Sequence, residues 1–114
     1  MFIQENAKIH AIVEDVVEAS HNGIISWEIK SNIQPVLLQG KDDYEKTKER
    51  WIIFEEYFTE KKIKFKKIVS IEGDIISKLV NLIYILDYAS IYLAVINKID
   101  PTPVYSIDYI KNRL

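Results

Sequence analysis

The stretch 35-PVLLQGKDDYEKTKERWIIFEEYFTEKKIKFKKIVSI-71 decides the fold. Pro35 to Gln39 is a short apolar run closed by Gly40, the pattern of a buried strand. Asp42 to Lys62 follows with Tyr44, Thr47, Trp51, Phe54 and Phe58 at three- and four-residue steps, an apolar stripe on one helical face. The other faces carry Glu45, Lys46, Lys48, Glu49, Glu55 and Glu56, a solvated surface on which i,i+4 pairs are expected. Phe65 to Ile71 then reads as a second strand. Strand, helix and strand in that order predict an α/β fold with a small, mostly parallel sheet.

Upstream, Ile9 to Val13 and Ile24 to Ile29 are β-prone, the second with weak alternation. Asn22-Gly23 is a strong turn signal placed directly after His21. Downstream, Gly73 to Asn97 predicts one long apolar helix. Asp100-Pro101-Thr102-Pro103 breaks it, because neither proline continues a helix interior. Val104 to Leu114 restarts with Val104, Ile107, Ile110 and Leu114 on one face.

The segment 79-LVNLIYILDYASIYLAVI-96 has nearly the length of a membrane span. Asn81, Asp87 and Ser90 interrupt it, Lys78 and Lys98 flank it, and a mid-span aspartate is expensive in lipid. It reads as a buried helix of a soluble protein, in part an interface helix, and not as a membrane anchor.

The chain has 114 residues, enough for one domain with a core that needs no covalent staple. A net charge of -2 argues against a nucleic-acid phosphate-backbone binder. The absence of cysteine excludes disulfides, thiolate catalysis and thiolate metal sites, and suits a reducing compartment. The N-terminal MFIQENAK carries a glutamate and no apolar core of a signal peptide. Two histidines without nearby carboxylate spacing make no metal site, and no Gly-rich phosphate loop occurs.

Few residues invite chemistry on their own. His21 sits in a polar Ser-His-Asn-Gly turn, and histidine is the residue type suited to acid–base work near neutrality, although loop histidines are more often simply exposed. His10 lies in an apolar run and reads as a packing or capping residue. Lys111 and Arg113 close a helix, where cations are favoured anyway. Glu5 alone is an ordinary glutamate.

Two blocks change that reading: 4-QENAKIHAIVEDVVEASHNGIISWE-28 and 87-DYASIYLAVINKIDPTPVYSIDYIKNRL-114. Together they resemble the C-terminal part of the archaeal-type bifunctional phosphoglucose/phosphomannose isomerases, whose fold is the three-layer sugar-isomerase (SIS) type. The resemblance implies one SIS-type subdomain over residues 1–114. It implies interconversion of glucose 6-phosphate and fructose 6-phosphate through an enediol(ate), with mannose 6-phosphate as a further substrate.

Glu5 matches the family's proton-transfer glutamate, His21 its ring-opening histidine, and Lys111 its C-terminal, oxygen-polarising lysine. Thr102 is the candidate for a substrate-binding threonine tied to mannose-type stereochemistry, with Val104 as the counterpart in a shifted alignment. A carboxylate is a suitable base beside a carbonyl, and a lysine stabilises the developing enediolate oxygen. No metal or organic cofactor is implied. The family places the histidine in the neighbouring subunit's site, which implies a homodimer, and a cytoplasmic location follows.

The family's Ser/Thr-rich phosphate-gripping loops and an arginine near the reacting carbons lie upstream and have no counterpart here. Three readings result. The chain is a C-terminal half working with a separate N-terminal half; or it is a catalytically inactive SIS-like module; or it is a small α/β scaffold whose apolar helix binds another protein.

Overall fold

The computed structural model describes residues 2–114. In chain order they form α1 (Phe2–Ala7), α2 (Val16–Ala19), a 3-10 helix (Gly23–Glu28), β1 (Val36–Gln39), α3 (Glu45–Glu60), β2 (Lys66–Val69), α4 (Ile75–Ile96) and α5 (Tyr105–Lys111). The chain divides into two units. One runs from Val13 to Leu82; the other joins the N-terminal segment up to Ile12 with Ile83–Leu114, so the division falls inside α4.

The first unit is built on the strand–helix–strand of the deciding stretch. β1 and β2 pair in parallel, with Val36 opposite Lys66 and Gln39 opposite Val69. Strand alternation puts Leu37, Gln39 and Lys67 on one face, and α3 covers it. Leu37, Phe54 and Phe58 are the buried cluster there, with Val16, Ala19, Ile24, Trp27, Trp51, Tyr57, Ile63 and Phe65 packed around them. Phe58, 1% exposed, meets Trp27 and Phe54 edge-on at 5.4 and 5.8 Å between ring centroids. On the same face, Glu55 of α3 accepts hydrogen bonds from Gln39 (2.8 Å) and Lys67 (2.9 Å). Burial alone would push the Glu55 carboxyl up; those bonds and the lysine charge outweigh it and leave it below its ordinary value.

Local chemistry sets the ends of the elements. Asp15 caps α2 by accepting from the Val17 and Glu18 amides, and Asp74 starts α4 by accepting from Ser77 at 2.7 Å. Gly73, at φ 144°, supplies the backbone turn ahead of that cap. Lys62 follows α3 in the left-handed region (φ 57°), and Ile63 N–H returns to the Phe58 carbonyl at 2.8 Å, the six-to-one bond of a Schellman end. Lys98 and Ile99 repeat this after α4, where Ile99 N–H bonds the Ala94 carbonyl at 2.9 Å.

The expected parallel pair, the amphipathic helix and the long apolar helix are all present. Two strand expectations fail. Ile9–Val13 is irregular, with Ile12 and Val13 exposed and no strand beside them; β-propensity makes no strand without a ladder partner. Ile24–Ile29 lies within and just past the 3-10 helix instead, where Ser26 Oγ donates to the Gly23 carbonyl and Trp27 turns into the core. The helix-face pairs on α3 also fall at i,i+3, Lys46–Glu49 and Lys48–Glu45.

α4 departs furthest from expectation. It is long and apolar enough to cross a membrane by length and composition, yet only 11% of its apolar span is buried in this chain. Leu79, Val80, Ile83, Tyr84, Tyr92 and Val95 are all exposed. The polar residues that interrupt it have partners. Asn81 accepts from the Ile71 amide at the end of β2, and Asp87 and Ser90 bind α1, as described next.

Candidate functional site

Glu5 lies on α1, a helix of six residues. So short a helix has no stability of its own and takes its orientation from neighbours. Asn6 Nδ2 donates to Ser90 Oγ at 2.8 Å and to Asp87 Oδ1 at 3.2 Å, both on α4. Ser90 Oγ in turn donates to the Asp87 carbonyl. Ala7, Ser90 and Ala94 are 0% exposed. The Glu5 carboxylate stays on the exposed side.

Lys8 leaves the end of α1 in the left-handed region at φ 56°. Its ammonium reaches the carbonyls of Glu5 (2.6 Å), Pro103 (2.7 Å) and Pro101 (3.3 Å). The turn it grips is itself rigid. Asp100 Oδ1 accepts from the Thr102 amide at 2.9 Å, and Pro101 and Pro103 fix the backbone on either side. The hydrogen bonds from Thr102 hold the Asp100 carboxyl below its ordinary value. Thus the helix carrying Glu5 and the turn carrying Thr102 are brought together in one unit. Val104, the alternative to Thr102, is only partly exposed and precedes α5, whereas Thr102 is exposed.

Lys111 is in the last turn of α5, in the same unit as Glu5, and is exposed. Its neighbour Arg113 is occupied locally: the guanidinium lies 3.5 Å from the centroid of Tyr109 and donates to the Tyr109 carbonyl at 2.9 Å. His21 belongs to the other unit. It is exposed in the turn after α2, with its amide bonded to the Glu18 carbonyl at 3.0 Å. Asn22 Nδ2 donates to the Glu18 carboxylate, and the Glu14 carboxylate lies against buried Gly23. His10 is exposed in the irregular segment, so the packing role expected for it is not taken up.

Sequence reasoning missed Asn6 and Lys8. Asp87 was the available signal: a carboxylate inside an apolar helix calls for a polar partner. Nothing in the order of residues marks Lys8, because its three acceptors lie three residues before it and more than ninety after it.

With this geometry in view, the chain can be compared with known proteins. Residues 2–114 match the family model described as bacterial phospho-glucose isomerase C-terminal SIS domain. The chain is 33% identical over 116 residues to a bifunctional phosphoglucose/phosphomannose isomerase of Caldicellulosiruptor bescii. That alignment covers 98% of this chain and 34% of the other protein, so the chain spans about a third of the relative's length. No solved structure matches.

Proposed function

This chain belongs to the family of bacterial phosphoglucose isomerase C-terminal SIS domains, and on that premise we propose that it is the C-terminal part of an aldose–ketose sugar-phosphate isomerase. The observation that carries the reading is the match of residues 2–114 to the family model together with similarity over 98% of the chain to a longer isomerase. The substrates are glucose 6-phosphate and fructose 6-phosphate, with mannose 6-phosphate as the epimeric alternative. The chain is one SIS-like domain, and the groups that grip the phosphate come from a separate N-terminal half. A homodimer in the cytoplasm is the assembly that suits a histidine donated between subunits.

In this reading His21, in a neighbour's site, moves the proton that opens the sugar ring. The Glu5 carboxylate then takes the proton from the carbon beside the carbonyl and returns it to the adjacent carbon. Lys111 stabilises the enediolate oxygen that forms between the two steps, where a fixed cation is worth most. Thr102, on its rigid turn beside α1, contacts the sugar hydroxyl that distinguishes the epimers.

The test is a coupled assay of fructose 6-phosphate isomerisation, run on the chain alone and after co-expression with the N-terminal half of such an isomerase. Activity that disappears in Glu5→Gln supports the proposal. A well-folded chain without activity in either arm counts against it and favours a second reading, an inactive module that binds protein. The uncovered α4 is the observation that recommends this alternative.

A further inference from the structure

The ammonium of Lys8 has three N–H donors, and three backbone carbonyls lie within 3.3 Å of it. One belongs to Glu5, and the other two, Pro101 and Pro103, bracket Thr102. Such charge-assisted bonds are about twice as strong as neutral ones. Two of them cross 93 and 95 positions of sequence. Lys62 and Lys98 offer a control within the same chain. They take the same left-handed backbone position after α3 and α4, and neither ammonium hydrogen-bonds a distant segment among the described residues. The backbone geometry at Lys8 therefore does not account for its side-chain contacts.

We propose that Lys8 is a positioning residue that locks the helix carrying Glu5 to the Pro101–Pro103 turn carrying Thr102, so that the base and the turn hold one geometry. The inference rests on the reading of Glu5 as proton-transfer base. Asn6 fixes α1 against α4; Lys8 supplies the link Asn6 does not make, to the turn. Because Asp100 and the two prolines already stiffen that turn, holding its carbonyls also holds Thr102.

The experiment compares Lys8→Met and Lys8→Arg with the unchanged chain, alone and co-expressed with the N-terminal half. Circular dichroism checks that each variant keeps its helix content. In Lys8→Met the Glu5 and Thr102 amide resonances shift together and the Thr102 amide exchanges faster with solvent; Lys8→Arg, which keeps the charge and the donors, restores most of both. In the isomerisation assay Lys8→Met lowers kcat by about 100-fold, the size expected of a misplaced base, with KM nearly unchanged.

Unmoved Glu5 and Thr102 resonances in a folded Lys8→Met chain overturn the proposal, as does an unchanged kcat where Glu5→Gln is inactive. A Glu5→Gln chain that keeps full activity removes the premise about Glu5. The resonance shifts still report separately on the link through Lys8.

Discussion

A carboxylate on the exposed face of a six-residue helix is positioned only as well as that helix is held. Here the holding falls to single polar side chains: Asn6 toward Asp87 and Ser90, Lys8 toward three carbonyls, and Asp100 across its own turn. The last has a pH dependence with a definite sign. The Asp100 carboxyl is held down by the hydrogen bonds from Thr102, so its contribution to the turn is present above the unfolded value of about 3.9 and is lost as pH falls through the lower folded value. Weaker protection of the Thr102 amide, relative to the intrinsic exchange rate at each pH, is expected once pH falls through that lower folded value, and Asp100→Asn removes most of that dependence. An exchange rate with the same pH profile in both chains would contradict the assignment. Of these three contacts only the first leaves a trace in the sequence, Asp87 inside an apolar helix. Each joins side chain to backbone or to a distant element, whereas Glu5, His21 and Lys111, the residues proposed for the chemistry, are singled out through family resemblance.

At the scale of elements, sequence and structure agree where one face is apolar and a partner lies nearby. Trp51, Phe54 and Phe58 turn inward on α3 as their spacing requires, and Leu37 meets them from β1. Ile9–Val13 and Ile24–Ile29 have strand composition without strand neighbours, so composition misleads there. Phe58 is the residue on which the covered face depends, touching Trp27, Phe54, Tyr57 and Phe65. Phe58→Ala is expected to cost about 3–5 kcal/mol, a large share of the stability of a small domain. A urea titration followed by tryptophan fluorescence measures it. A loss below about 1 kcal/mol would mean that this cluster is not the main support of the sheet.

At the scale of the whole molecule, a chain that is 48% apolar buries only five apolar residues among those described: Ala7, Leu37, Phe54, Phe58 and Ala94. Parallel sheets are ordinarily covered on both faces, and an apolar helix is ordinarily buried. α4 does not meet that rule, and on the second face of the strand pair Leu38 and Ile68 are only half-buried. The chain spans 34% of its isomerase relative, so sequence length alone gave no sign of which surfaces would stay open. The isolated chain is expected to bind a hydrophobic dye strongly and to lose most of that signal when co-expressed with the N-terminal half. Val95→Glu, at an exposed position of α4, leaves helix content unchanged and lowers the apparent mass in light scattering. An unchanged mass would show that this face of α4 carries no association.

With β1 and β2 the only strands among the described residues, each has an open edge, and an open edge can seed fibrils of identical chains. β2 begins Lys66-Lys67. Pairing the open edge of β2 with the β2 edge of a second copy would set the exposed Lys66 of each against a strand of the same charge, while Lys67 is already paired with Glu55. Lys66 places no such obstacle before a neutral or acidic strand from a different sequence. The edge is therefore guarded against its own kind and left open to a stranger.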